Sequence, residues 1–118
     1  MNQRWNIIFS RGGEYQETVS VGTWPGTYPA LSTATEWRLT VSQPDTAGFL
    51  VASSIGASPM IVLNGTKTVG TIIVPAATTA TMPLGSARYD FDIFFPSSVT
   101  KRLISLGAAQ VNTKAGAV

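Results

Sequence analysis

The stretch ARYDFDIFF, residues 87–95, decides the fold. Tyr89, Phe91, Ile93 and Phe95 share one parity and Arg88, Asp90 and Asp92 the other. This period-2 alternation marks a strand with one buried and one wet face. At Phe94 the wet parity turns aromatic. Either something covers that ring, or a bulge at Phe94-Phe95-Pro96 rotates both phenylalanines inward, as happens near strand ends.

The next stretch, KRLISLGAAQV, residues 101–111, supplies the returning strand. A two-residue turn at Ser97-Ser98 sets Phe91 opposite Ile104 and Tyr89 opposite Leu106. Slipping by one residue sets Asp92 opposite Arg102 but moves the aliphatic set to the wet face. Burying that set outweighs an exposed ion pair worth ~0–1 kcal/mol, so the first register is expected.

Similar segments recur upstream: RWNIIF, EYQETVSV, EWRLTVSQ, GFLVASS, PMIVL and TVGTIIV, most of them bounded by Gly, Pro, Asn, Asp or Ser. Trp37, Leu39 and Val41 alternate with Glu36, Arg38, Thr40 and Ser42. In EYQETVSV, Glu17 interrupts the parity shared by Tyr15, Val19 and Val21. Gly12-Gly13 predicts a turn between the first two strands, and Asn64-Gly65 predicts a hairpin joining Met60–Leu63 to Thr68–Val74. The only helical candidate is the segment between Pro75 and Pro83, one or two turns at most. Short local strands in this number predict an all-β protein, an antiparallel β-sandwich of about seven or eight strands with one helical turn. The expected core comprises Trp37, Leu39, Val41, Tyr89, Phe91, Ile93, Ile104 and Leu106. Residues 1–111 form one expected domain and 112–118 a C-terminal extension.

Composition narrows the chemistry. The 118 residues include no cysteine and no histidine, which excludes disulfides, thiolate catalysis and the commonest general base and transition-metal ligand. Charged residues are only 12% of the chain, against roughly 25% in an ordinary soluble domain, a balance consistent with burial against partners. The eight Lys and Arg residues are scattered, where nucleic-acid binding wants a concentrated patch. No segment has the length of a membrane span, and MNQRWNIIF reads as a first strand and not as a secretory signal.

Few residues are candidates for chemistry. Asp90 and Asp92 project from one strand face and could serve a hydrolase or a hard cation, or could meet Lys101 or Arg102 across the hairpin. Asn64-Gly65-Thr66 is formally a glycosylation sequon. A Ser–Lys dyad through Lys67 or Lys101 has nothing to pick it out. The loop TWPGTYP, residues 23–29, places Trp24 and Tyr28 among prolines. Such a loop can be a sugar-stacking platform or a protein contact, or Trp24 can fold back over one end of the sandwich.

These features together resemble a small β-sandwich family of tailed bacteriophages, typified by the N-terminal domains of baseplate upper proteins that scaffold receptor-binding proteins. Gly13 and Tyr15 match its opening, Pro75–Met82 its helical turn, and Leu84-Gly85 the break that follows. Tyr89, Asp90 and Phe91 match its strand, and Arg102, Leu103, Ile104 and Gly107 its close. The final turn, here Pro-Ser-Ser, departs from the family's Gly-rich one, and TWPGTYP has no counterpart. The resemblance implies a non-enzymatic virion protein without cofactor or metal, in a tail, baseplate or fibre-attachment position. Its partners would be other virion proteins and copies of itself, not nucleic acid or membrane. A capsid or neck decoration protein and, further off, a carbohydrate-binding module are the alternatives. Phe94 and Pro96, with Trp24 and Tyr28, are the candidate assembly contacts.

Overall fold

The computed structural model describes residues 6–21, 24 and 26–113; within them, the side chains of Ala47, Ser105 and Leu106 lie outside the described residues. Among the described residues there are eight strands: β1 (Ile7–Ser10), β2 (Tyr15–Ser20), β3 (Glu36–Gln43), β4 (Thr46–Ser53), β5 (Ile61–Leu63), β6 (Val69–Val74), β7 (Gly85–Phe95) and β8 (Val99–Asn112). One short helix, α1 (Ala76–Thr79), and two 3-10 turns, Leu31–Thr33 and Pro96–Ser98, complete the elements. The strands form a five-stranded sheet of order β1-β8-β7-β3-β4 and a three-stranded sheet of order β2-β6-β5. The fold is an all-β sandwich.

One part of the expectation needs correction: the sandwich is not wholly antiparallel. β1 runs parallel to β8, from Ile7 opposite Ala109 to Ser10 opposite Asn112, so the larger sheet is mixed. The turn after β1 therefore carries the chain from one sheet to the other and does not close a hairpin. Gly12, at φ 81°, takes the left-handed conformation that glycine allows without a Cβ clash. The buried Thr79 hydroxyl accepts from Gly12 N (3.0 Å) and donates to Gly13 O (2.8 Å). Arg11 donates from Nε and Nη2 to Ala80 O. The helical turn α1 thus clasps the sheet-to-sheet crossing.

The core lies between the sheets. Trp37, Leu39, Val41, Tyr89, Phe91, Ile93 and Ile104 are buried on the large sheet, with Ile7 and Phe9 from β1, and they meet Val19, Ile61, Ile72 and Val74 of the small one. The expected core position Leu106 has its side chain outside the described residues. A Cβ on Gly70 would stand 2.8 Å from the Trp37 ring, so this glycine lets the indole approach β6 closely. Glu17 is exposed on the edge strand β2. A charge at an inward-parity edge position hinders strand addition there.

The hairpin around residues 60–74 forms as expected, with Leu63 opposite Gly70. Its turn is longer than Asn-Gly alone: Lys67 N donates to Asn64 O, and the left-handed residue is Lys67 at φ 58°. The Asn64 carboxamide oxygen accepts from Thr68 N and Val69 N, so this side chain holds the turn.

The β7–β8 register combines the two alternatives. Asp92 faces Arg102, and one residue further Phe91 faces Ile104, because a bulge in β8 inserts Leu103 between them. A second irregularity follows, so Tyr89 faces Gly107 and not Leu106 as expected. The closing loop is also three residues, Pro96–Ser98, instead of two.

Candidate functional site

The polar face of the large sheet is built by strand alternation. β3 contributes Glu36 and Arg38, paired across to Phe94 and Asp92 of β7; Ser53 of β4 faces Arg38, and Arg102 of β8 faces Asp92. All six side chains project away from the core.

Two bidentate clamps organise this face. Arg38 donates from Nε to Glu36 Oε2 (2.9 Å) and from Nη2 to Glu36 Oε1 (2.8 Å), and Ser53 Oγ donates to Glu36 Oε2 (2.6 Å). Arg102 donates from Nε to Asp92 Oδ1 (2.8 Å) and from Nη2 to Asp92 Oδ2 (3.1 Å), while its Nη1 stands 3.8 Å from Asp90 Oδ2. The guanidinium fork matches a carboxylate in this fixed geometry. Glu36 and Asp92 are both buried beneath their partners. Burial pushes the Glu36 carboxyl up, but hydrogen bonds from Arg38 and Ser53 and the Arg38 charge outweigh it, leaving the group below the usual carboxylate value. The Asp92 hydrogen bonds hold the Arg102 guanidinium still further from deprotonation.

The cover over Phe94 comes from the same chain. Arg38 Cζ lies 4.5 Å from the centroid of the Phe94 ring, a cation–π contact that leaves the ring half-buried. No bulge occurs at Phe94-Phe95. Phe95 alone turns into the core, and the irregularities of this hairpin lie further along, beside Tyr89, Phe91 and Asp92.

The four candidate assembly contacts divide between two faces. Trp24 is half-buried against the core, its Nε1 donates to Pro29 O (2.7 Å), and its ring packs 5.7 Å from Phe95 and 5.9 Å from Tyr28. Lys101 Nζ stands 5.3 Å from the centroid of the Tyr28 ring. Trp24 and Tyr28 therefore sit on the Phe95 side of β7, as a cover over the end of the sandwich. Phe94 points to the opposite side, and Pro96 is exposed at the tip between them. A single flat contact through all four is not what this arrangement offers.

Asp90 and Asp92 are both turned toward Arg102. Among the described residues no cluster of three or more acidic side chains could hold a metal ion. Lys67 Nζ donates to Ala34 O (2.7 Å). A shallow depression of about 250 Å³ lies over β1, β8 and β7, with Ile8, Arg88 and Gln110 in its lining.

The Glu36–Arg38–Ser53 group was not singled out from sequence. Glu36 and Arg38 lie two apart on one strand, as Asp90 and Asp92 do, and that spacing was the available signal. Ser53 comes from a different strand and needed the β3–β4 register. No protein-family model matches the chain, and no curated protein matches it.

Proposed function

We propose that this protein is a non-enzymatic structural component of a bacteriophage virion, in the tail, baseplate or fibre-attachment apparatus, acting through contacts with neighbouring subunits. The observation that carries this reading is the character of the sheet edges. Of the four edge strands, β1, β4 and β5 each present a half-exposed β-branched residue: Ile8, Val51 and Val62. Apolar side chains at open edges suit a module that is finished by other polypeptides.

The carboxylate pair that an enzyme would use is directed at Arg102 instead of an open cleft, which also favours a mechanical role. The Trp24 ring offers little to a sugar, because its N–H is spent on Pro29 O and one side packs toward Phe95. Tryptophan fluorescence is accordingly expected to stay flat across a glycan panel.

Gold-labelled antibody against the chain, applied to particles banded from cells that carry the gene, tests the assignment. Label at the tail or baseplate is expected. Label over the capsid or neck would replace this position with that of a decoration protein, and unlabelled particles would end the virion reading.

A further inference from the structure

We propose that the free edge of β4 pairs antiparallel with the same edge of a second copy, about a two-fold axis midway between Leu50 and its counterpart, joining two large sheets into one. Ser54 N donates to Trp37 O (3.0 Å), which fixes the bonded pairs of the β3–β4 ladder. Bonded and non-bonded pairs alternate in an antiparallel ladder. With Leu39 opposite Ala52 and Val41 opposite Leu50, those residues turn their main chain toward β3, so both main-chain groups of Val51 and the carbonyl of Phe49 point outward. Among the described residues no other element takes up those outward groups. The window is bounded: Ser53 O accepts from Met60 N (3.1 Å), and a register irregularity between Val41 and Gln43 lies at the other end.

The occupant must be an extended, uncharged strand. The β4 sequence TAGFLVAS holds no charge and no proline, the devices that usually guard an edge. The other edges fit poorly: β1 has four residues and β5 three, and β2 carries Glu17. β4 meets its own requirement. Centred on Leu50, the pairing sets Phe49 opposite Val51 of the second copy, where each Val51 N–H can donate to a Phe49 carbonyl across the seam. It also brings Val51, 48% exposed in the single chain, into the seam between the two copies. Asp45 then falls opposite the Ile55 position of the second copy, so no like charges are opposed. This contact names a surface for self-association and stands whether or not the protein is found in a particle.

The test is sedimentation equilibrium of the full chain. A dimer is expected, weakened about tenfold or more by Val51→Lys at unchanged circular dichroism, and kept by Val51→Ile. Because the chain holds no cysteine, Phe49→Cys and Val51→Cys chains can be mixed under oxidation. The mixed disulfide is expected to exceed either homodimer. A chain that stays monomeric at its highest soluble concentration overturns the proposal. So does a dimer that survives Val51→Lys, or a mixture without preferential cross-linking.

Discussion

Arg38 serves two side chains at once. Its fork binds Glu36, and its plane covers Phe94. Arg38→Ala should therefore cost about 1–3 kcal/mol in urea unfolding, since it leaves a buried carboxylate with only the Ser53 hydroxyl and no opposite charge, and bares an aromatic ring. Adding Glu36→Gln should recover part of that loss, because the neutral amide removes the unpaired charge. The same group sets an acid limb. With its folded pKa below the ordinary value, Glu36 contributes stability that is fully present above the usual carboxylate range and is lost as pH falls through the depressed value. Thermal unfolding of Glu36→Gln should accordingly fall less steeply on acidification than that of the parent. Gly107, by contrast, has a single role. A Cβ there would stand 2.3 Å from the Tyr89 ring, whose side chain is buried, so Gly107→Ala should destabilise by about 1–3 kcal/mol.

At the scale of elements, the β7–β8 hairpin shows how a local conflict is resolved. Alternation asks for Phe91 opposite Ile104, and charge asks for Asp92 opposite Arg102; no single register satisfies both. The bulge at Leu103 satisfies both. Its signal was in the sequence, where Leu103 and Ile104 place two apolar residues in succession, and both are buried. The turn carries the cost of this arrangement. Ser97 and Ser98 sit at φ 64° and 62°, the left-handed region that side chains adopt reluctantly. Ser98→Gly should raise stability by about 0.5–1 kcal/mol, read as a higher midpoint in thermal unfolding, provided the hairpin keeps its register. The eight strands and the helical turn were legible because each carries its own period and its own flanking breakers. The Phe94 cover was not, because it depends on which strand neighbours β7 on its other side, and a local pattern does not encode that.

At the scale of the whole molecule, the parallel strand β1 marks the limit of a local reading. Ile7 finds its partner at Ala109, and a four-residue segment gives no hint of a pairing that distant. Once placed, it buries Ile7 and Phe9 and opens a new sheet edge at Ile8. The candidate contacts at Trp24, Tyr28, Phe94 and Pro96 were legible as unusual residues but not as a geometry, since the sheet separates them onto two sides. A role in assembly therefore rests on edges more than on aromatic knobs. The most direct measurement is the copy number of this chain in purified particles, by quantitative mass spectrometry against the major capsid protein. A constant ratio that survives nuclease treatment and salt washing is predicted. Its absence from the particles, with the chain recovered only as free protein in the lysate, would contradict a structural role in the virion.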